Sequence, residues 1–369
     1  MKRIYIFLSI FLLYLSCRNT QVGQLMEIEV DIDKTVTFPL SMITDEITVI
    51  ELELTNESIT SPERIKQVLI TENYLIIVES NNILVFNKNG NFIRSIGSRG
   101  QGPGDYNNIR NVTINEKSLD LYILNGDSKI LCYNLNGNYL KQTTQLQKDG
   151  FSIYDLKYVN DILFLIVEQW IKNSNGGNKH SAIFNINEDF LIIDTCKIRC
   201  DGFEKYSRFY HLYENYLFCN NLAIYLYYTD LYPEEANPEE KVLRDTLYRF
   251  EKNLLIPELK LKFKKNEREI NGYKYIYLFN IYKSSRYVFA VYSNKMNDII
   301  YRYCFDTETK KGYNFINDEF IDDINLIKER VKIRPVTMNT ELFFYLHTHI
   351  KDEDIEESNP TIYIGKLKK

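Results

Sequence analysis

A hairpin motif that recurs along the chain constrains the fold more than any other feature of the sequence. The segment 83–94 reads ILVFNKNGNFIR, and 130–141 repeats it as ILCYNLNGNYLK. Each copy has two hydrophobic runs joined through Asn-Gly, which favours tight hairpins because both residues tolerate positive φ. Weaker copies follow at 182–191, 246–255 and 299–306. A recurring hairpin of this kind predicts a repeat fold.

Each copy contains one anchoring aromatic residue, and these residues recur roughly every 50 positions. The anchors are Phe86, Tyr133, Phe184, Phe250 and Phe305. Two further strand-like runs precede every anchor, so that each repeat holds four strands. Repeats of this length and content are typical of β-propeller blades.

The last repeat lacks one strand, and the N-terminal part of the chain can supply it. The segment 332–366 provides three strand-like runs, and the run 47–54, ITVIELEL, has no partner of its own. Pairing strands from both ends of the chain would remove an open sheet edge. We therefore predict an all-β, six-bladed β-propeller of four-stranded antiparallel blades, closed by an N-terminal strand. Two stacked β-sandwiches are the alternative.

The composition agrees with an all-β fold. The chain has 29 Tyr and 21 Phe among its 369 residues, and aromatic residues suit the half-buried surface of a sheet. Only one segment, 318–331, spaces its apolar residues near a helical period, and we expect a helix there.

The N-terminus predicts export and a lipid anchor. Lys2 and Arg3 precede an apolar run that ends at Ser16-Cys17, which resembles a bacterial lipoprotein cleavage site. A plain secretory signal is the alternative. We predict a signal peptide at 1–16, lipidation of Cys17, a tether and lead-in at 17–45, and the propeller at 46–369. This places the protein in the bacterial cell envelope, lipid-anchored at the outer membrane and facing the periplasm or the surface.

The net charge limits the classes of partner, and the number and spacing of the cysteines limit the possible disulfides. The formal net charge is −5, which argues against nucleic acid. Five cysteines follow Cys17, so that at least one thiol is free unless a partner is bridged. Cys196 and Cys200 lie too far apart along one strand to form a disulfide, and we expect most of these cysteines to be buried.

The lipoprotein signal, the closing strand and the passage 86–106 together give a family resemblance. The chain resembles the six-bladed β-propeller lipoproteins of Bacteroides and relatives, which are distantly similar to NHL-repeat proteins. The resemblance covers roughly 47–369, and its most specific element is IGSRGQGPGDY at 96–106. It implies a fold and an envelope location, and no established activity.

The glycine-dense loop between the first two repeats has two interpretations. Its four glycines permit close backbone approach, so the loop could present amide groups to an anion beside Arg99. It could also be the crossover from the outer strand of one blade to the inner strand of the next, which we favour. It is not a P-loop, because no Lys-Ser or Lys-Thr follows.

Three long connections between second and third strands are expected on the same face as that loop. They are 170–180, 230–245 and 349–359. Elaborated loops on one side of a rigid scaffold often bind ligands, with tolerated surface variation as the alternative. The predicted ligand-binding residues are Arg99, Gln101, Tyr106, Trp170 and His180.

No local catalytic motif is present, and we predict no catalytic residue, metal or cofactor. His347 and His349 could begin a metal site, but no third ligand is identifiable. The favoured function is therefore a non-enzymatic binding or scaffold lipoprotein that engages an envelope protein, a glycan or a peptide. A propeller hydrolase or lyase with its site at the central channel is the alternative, because such sites combine residues from several blades.

Overall fold

The chain folds into a ring of six four-stranded antiparallel blades, as the repeat predicts. The computed structural model describes residues 25–143, 145–173, 176–204, 217–220, 223–228, 245–264, 269–270, 273–274, 276–294, 299–317, 319–325, 330–348 and 358–369. In each blade the strands follow one another from the channel outward, and the buried apolar side chains pack between neighbouring blades.

The bounds of the strands follow the blade order. Blade 1 contains β3 (Ile65–Ile70), β4 (Tyr74–Glu79), β5 (Ile83–Asn87) and β6 (Phe92–Ser95). Blade 2 contains β7 (Ile109–Asn115), β8 (Asp120–Asn125), β9 (Ile130–Asn134) and β10 (Tyr139–Thr143). Blade 3 contains β11 (Phe151–Val159), β12 (Ile162–Asn173), β13 (Gly176–Ile186) and β14 (Ile192–Glu204). Blade 4 contains β15 (Leu217–Cys219), β16 (Ile224–Tyr227), β17 (Thr246–Glu251) and β18 (Leu254–Phe263), with β1 (Met26–Val30) beside β18.

The last two blades complete the ring. Blade 5 contains β21 (Ile276–Lys283), β22 (Tyr287–Asn294), β23 (Ile299–Asp306) and β24 (Lys311–Ile316). Blade 6 contains β27 (Arg334–Val336), β28 (Asn339–His347), β29 (Thr361–Lys366) and β2 (Ile47–Glu51). Two short ribbons pair β19 (Glu269–Ile270) with β20 (Tyr273–Lys274), and β25 (Phe320–Ile321) with β26 (Arg330–Val331). Within the described ranges, helix is limited to α1 (Gln145–Lys148) and a 3-10 turn at Leu40–Met42.

The predicted closure by an N-terminal strand is confirmed. Strand β2 pairs antiparallel with β29, from Ile47 opposite Gly365 to Glu51 opposite Thr361. Next to this seam, the Thr337 amide donates to the Val68 carbonyl (3.0 Å), which joins blade 6 to blade 1. The outer strand of blade 6 therefore comes from the N-terminal part of the chain and the other three from its C-terminal part.

The segment predicted as tether and lead-in contains more structure than expected. Strand β1 pairs in parallel with β18, with Met26 opposite Leu259 and Val30 opposite Phe263. Further along, Phe38 is buried against the ring of Phe315, with the two ring centroids 5.3 Å apart. Strand β1 is thus packed on blade 4 and Phe38 on blade 5, while Thr44 donates from its hydroxyl to the Lys366 carbonyl (2.6 Å) at the end of β29 in blade 6.

The expected helix at 318–331 is wrong for the residues that the structure describes there. Strands β25 and β26 pair instead, and Phe320 lies opposite Val331. The Asp322 carboxylate accepts the backbone N–H groups of Ile324 (3.1 Å) and Asn325 (2.9 Å). Aspartate that binds nearby amides in this way stabilises a turn in competition with a helix.

The predicted loop at 170–180 is also wrong, because it is a hairpin. Strands β12 and β13 stay paired to their ends, with Trp170 opposite Lys179 and Asn173 opposite Gly176. The other two expected loops, 230–245 and 349–359, lie outside the described residues apart from Asp245, Ser358 and Asn359. Asn359 is buried, and its Nδ2 donates to the Glu53 carbonyl (2.8 Å).

Strand direction divides the ring into two faces. The upper face carries the crossovers between blades and the turns from second to third strands. The lower face carries the turns from first to second and from third to fourth strands. Among the described residues, no helix is long and apolar enough to cross a bilayer.

Candidate ligand-binding site

The inner strands line the central channel and share a polar position. In four of them a β-bulge precedes this position, which is Gln67, Asn111, Asp155 or Asn280. Gln67 Nε2 donates to Asn111 Oδ1 (3.0 Å), and Asn111 Nδ2 donates to Asp155 Oδ1 (2.5 Å). The first three blades are therefore linked side chain to side chain around the channel.

Asp155 ends this chain of hydrogen bonds with a buried ion pair. Its carboxylate accepts the backbone N–H groups of Leu156 (2.8 Å) and Leu217 (2.7 Å), the second of which lies in blade 4. Lys157 Nζ lies 3.3 Å from Asp155 Oδ1, and the two side chains are 5% and 0% exposed. A carboxylate with this many hydrogen-bond partners holds two blades together. We therefore assign Asp155 a role in stability rather than in ligand binding.

Three cavities follow the channel from face to face. The upper cavity has a volume of about 650 Å³ and the lower one about 850 Å³, with a narrow space of about 30 Å³ between them. The narrow space shares Phe218 and Thr337 with the upper cavity. It shares Cys219 and Met338 with the lower cavity. Both larger cavities have the size of typical ligand sites.

The arginine side chains that line the upper cavity form hydrogen bonds with other groups of the protein. Arg302 is buried, and its guanidinium donates to the Tyr282 hydroxyl (2.9 Å) and to the Ile333 carbonyl (3.1 Å). Arg334 donates to the Ile65 carbonyl (2.6 Å). These bonds hold blades 5, 6 and 1 together, which gives the arginines a structural role in this cavity.

The lower cavity, which we call the lower cleft, is built by turns of several blades. It lies where the first-to-second strand turns of blades 2, 3, 4 and 6 approach the third-to-fourth strand turns of blades 3 and 4. Five asparagines line it, together with aromatic rings: Asn115, Asn160, Asn185, Asn220, Asn253, Tyr158, Phe164 and Phe250. A primary amide offers both donors and acceptors, so this lining suits a polar ligand.

Two of these asparagines hold a buried carbonyl oxygen without a partner among the described residues. The atoms are Asn185 Oδ1 and Asn253 Oδ1. Asn185 is only 7% exposed, and Asn253 is fixed by its Nδ2, which donates to the Thr195 carbonyl (3.1 Å). An unsatisfied buried acceptor costs roughly 1–3 kcal/mol, and a hydrogen-bond donor brought to it would remove that cost.

The charged groups around the lower cleft nearly balance. Lys117 Nζ and Asp161 Oδ2 form an exposed ion pair (2.8 Å), and Glu116, Asp194 and Lys252 complete the charged lining. This lining contains three carboxylates and two ammonium groups. The near balance favours an uncharged ligand over a strongly acidic or basic one.

The tyrosine in the cleft wall is held in its neutral form. Tyr158 donates from its hydroxyl to Glu188 Oε1 (3.0 Å) and accepts from Asn115 Nδ2 (2.9 Å). Burial, followed by the hydrogen bond to Glu188, raises the pKa of Tyr158 well above its usual range. The phenol therefore serves as a hydrogen-bonding group at neutral pH and not as a base.

Metal and thiol chemistry find no support in the described part of the chain. No group of three His, Cys, Asp or Glu residues there could hold a metal ion. Among the described residues, Cys132, Cys196, Cys200, Cys219 and Cys304 form no disulfide, and only Cys200 of these five is exposed. Burial raises the pKa of the Cys132 and Cys219 thiols to about 12. His349, the second member of the predicted histidine pair, lies outside the described residues.

The glycine-dense loop is an internally bonded crossover on the upper face. The Gly100 amide donates to the Tyr106 carbonyl (3.0 Å) and the Gly102 amide to Asp105 Oδ2 (2.8 Å). Hydrogen bonds from the Ser98 hydroxyl and the Gly102 amide lower the pKa of Asp105. Because these amides have internal partners, they do not form an anion site, and the structure agrees with the favoured interpretation.

The predicted contact residues of that loop differ in exposure. Arg99 and Gln101 are exposed on the upper face. Tyr106 is 1% exposed, and its hydroxyl donates to the Ile96 carbonyl (2.7 Å). Tyr106 therefore supports the loop from below and is not placed to contact a ligand, because its only polar atom has a partner within the core.

Trp170 and His180 lie on the same hairpin but on opposite sides of it. Trp170 is paired with Lys179, and Gln169 with His180, so successive pairs alternate between the two sides. Lys179 Nζ lies 5.9 Å from the centre of the Trp170 ring and is 3.5 Å from Glu168 Oε1 in a buried ion pair.

The ring of six four-stranded blades around a central channel defines the class of the protein as a six-bladed β-propeller. The chain belongs to the DUF4934 family, described as a domain of unknown function, whose model matches residues 24–369. No curated protein sequence matches the chain.

Solved structures share the fold at low sequence identity. A protein from Bacteroides fragilis, provisionally described as exported, is 16% identical with a TM-score of 0.62, over 94% of this chain and 100% of that one. A β-propeller domain of Cps50 (Swd1) from Myceliophteria thermophila is 9% identical with a TM-score of 0.42, over 88% and 100%. A protein of unknown function from Bacteroides caccae is 12% identical with a TM-score of 0.36, over 76% and 85%. At these identities the likeness concerns the fold alone.

Proposed function

We propose that this protein is a lipid-anchored binding module of the bacterial envelope and that its ligand occupies the lower cleft. The observation that carries the proposal is the pair of buried, unpartnered acceptors, Asn185 Oδ1 and Asn253 Oδ1, in a cavity of about 850 Å³. Both oxygens are closed to solvent in the free protein, so a ligand donor would reach either one once that side chain turns toward the cleft, and the new hydrogen bond would remove a desolvation cost that the free protein bears. The ligand is therefore uncharged and carries several hydroxyl or amide N–H groups.

The envelope location and the anchor at Cys17 are part of the same proposal. The positive residues, apolar run and Ser16-Cys17 junction support them, and so does the description of the Bacteroides fragilis structure as an exported protein. We also propose that the chain is distantly similar to NHL-repeat proteins. Mass spectrometry of the N-terminus of protein purified from membranes tests the anchor, because lipidated Cys17 would be the first residue. An unmodified or differently cleaved N-terminus would reject it.

The upper face provides a second predicted contact surface, for a macromolecular partner. Arg99, Gln101 and His180 are exposed there, and Trp170 is half-buried. Arginine and tryptophan are frequent anchors of interfaces, which is the reason to test this surface beside the cleft.

Affinity measurements on matched variants test the cleft against the upper face. The probes are uncharged trisaccharides (chitotriose, maltotriose and mannotriose) and uncharged tripeptides, measured by isothermal titration calorimetry. Asn185→Leu should weaken binding of the active probe about tenfold or more, since lost hydrogen bonds of this kind cost roughly 1–3 kcal/mol. Arg99→Ala and Trp170→Ala should leave that affinity unchanged.

The same Asn185 variant should be at least as stable as the wild-type protein. Leucine has nearly the shape of asparagine and removes an acceptor that has no partner in the free protein. Weaker binding together with equal or greater stability would distinguish a binding role from a structural one. Loss of probe binding in the Arg99 or Trp170 variants alone would reject the cleft, and turnover of a probe would favour the hydrolase or lyase alternative.

A further inference from the structure

The outer edge of the lower face carries an exposed apolar surface. Leu254 and Leu191 are 63% and 62% exposed, the highest values among the large apolar side chains that the structure describes. Ile192 and Ile193 continue the exposed run at the lower end of β14. We call these four residues the lower rim.

The lower rim is continuous between blades 3 and 4. Asn253 Nδ2 donates to the Thr195 carbonyl (3.1 Å), and this bond holds the lower turn of blade 4, which contains Leu254, beside the start of β14. Single exposed apolar residues are ordinary, but three in sequence beside a fourth form a patch that marks a contact surface. The rim also adjoins the lower cleft, because Asn253 and Asp194 line it.

The direction of β1 shows from which side the described chain enters this strand. Strand β1 is parallel to β18, which runs from the lower face to the upper face. Met26, at the N-terminal end of β1, therefore lies on its lower side. It is opposite Leu259, which is about 17 Å above Leu254 at the usual rise of about 3.3 Å per strand residue.

The short distance in sequence between Cys17 and Met26 limits how far the body can lie from its anchor. Met26 comes nine positions after Cys17, so even a fully extended chain reaches only about 30 Å. After the 17 Å from Met26 down to the level of Leu254, about 13 Å would remain. Reach alone does not select a face, because Phe263 at the upper end of β18 is only about 13 Å from Leu259. The direction of β1, whose first residue is at its lower end, is what would place a lipid at Cys17 below the lower face.

We propose that the lower rim is the membrane-contact surface of the anchored protein and that the lower cleft opens toward the bilayer. This rests on the proposed anchor at Cys17. Leu191, Ile193 and Leu254 would enter the interfacial region, where a few apolar side chains add to the binding given by a lipid chain. The ligand of the cleft would then be a polar molecule displayed at the membrane surface.

Tryptophan fluorescence on vesicles with brominated acyl chains tests the orientation. The protein starts at Arg18 after an N-terminal histidine tag and is held on phosphatidylcholine vesicles by a nickel-chelating lipid, so the test does not depend on native lipidation. The background variant is Trp170→Phe, which removes the only native tryptophan. In that background Leu254→Trp is the reporter and Arg99→Trp is the matched exposed control on the upper face.

The reporter at Leu254 should lose most of its fluorescence on brominated vesicles, while the Arg99 control and native Trp170 should keep theirs. Equal quenching at both positions, or quenching of the upper-face residues alone, would overturn the orientation. Sedimentation of the vesicle-free protein gives a further outcome. A dimer that Leu254→Ser dissociates would assign the rim to a second copy of the chain and overturn membrane contact.

The two proposals fail in different measurements. An unlipidated N-terminus in the native protein would reject the anchor, even if the tethered protein shows quenching at Leu254. A lipidated Cys17 with no quenching at Leu254 would keep the anchor and reject the membrane-contact surface.

Discussion

Removal of the Asp155 carboxylate should destabilise the ring strongly. The change Asp155→Ala would leave Lys157 buried without its ion-pair partner, which lies 3.3 Å away, and would deprive the Leu217 amide (2.7 Å) of its acceptor. Breaking a buried ion pair from one side costs about 3–5 kcal/mol, because the remaining charge is desolvated and uncompensated. We expect a loss of that size in the free energy of unfolding, measured by urea denaturation.

The chain contains a matched control for this experiment. Lys117 and Asp161 form another lysine–aspartate pair, with side chains 77% and 60% exposed, and such pairs contribute about 0–1 kcal/mol. Lys117→Ala, which breaks this pair and leaves Asp161 in place at its positive φ of 65°, should therefore have little effect. In the Asp155→Ala background, Lys157→Met should recover part of the lost stability, since it removes the unpaired charge. Equal, small losses for Asp155→Ala and Lys117→Ala would refute the role of Asp155 as a clamp between blades.

Two further predictions concern the glycine loop and acid stability. Gly104 has φ +85°, and a Cβ there would lie 2.9 Å from the Tyr139 ring, whereas Gly137 has φ +87° with its nearest neighbour 3.8 Å away. Both changes to alanine should cost about 1–2 kcal/mol in urea denaturation from backbone strain, and Gly104→Ala more than Gly137→Ala; equal costs would contradict the crowding. Burial alone would raise the pKa of the Asp306 carboxyl. Hydrogen bonds, first among them the one from Arg286, instead hold this pKa at about 2, below its usual 3.8. Because the folded-state pKa is lowered, the stability of the wild-type protein relative to Asp306→Asn should be present above about pH 4 and disappear as the pH falls toward 2; a pH-independent difference would contradict the assignment.

The repeat made the fold predictable, because each blade is built from local hairpins. The Asn-Gly turns at 89–90 and 136–137 both form tight turns with glycine at positive φ, as the sequence indicates. The closing strand was also predictable, since its apolar run had no partner nearby. Strand β1 was not, because its pairing with β18 joins residues more than 200 positions apart and its short sequence carries no turn signal.

The candidate site was harder to predict because several blades assemble it. Asn185 lies near the end of strand β13 and Asn253 in a turn, where asparagine is common for conformational reasons, and only the structure shows that each has a buried carbonyl oxygen and that both line one cleft. Tyr106 was selected for its surface chemistry, but the fold buries it beneath the loop.

A local signal did exist for the polar positions of the channel. One four-residue pattern recurs: an apolar residue, any residue, a polar residue and an aliphatic residue. It reads IKQV at 65–68, IRNV at 109–112 and IYDL at 153–156. The polar members, Gln67, Asn111 and Asp155, are separated by 44 residues each time. A search for polar residues at the period of the repeat would have found this chain of hydrogen bonds around the channel.

A crystal structure with the bound probe tests the central claim most directly. The probe is the one with the highest affinity in the calorimetric panel, soaked into crystals of the wild-type protein. We expect it in the lower cleft, with hydroxyl or amide donors about 2.7–3.2 Å from Asn185 Oδ1 and Asn253 Oδ1. A probe bound in the upper cavity or beside Arg99 and Trp170, with both asparagine oxygens still without a partner, would contradict the account.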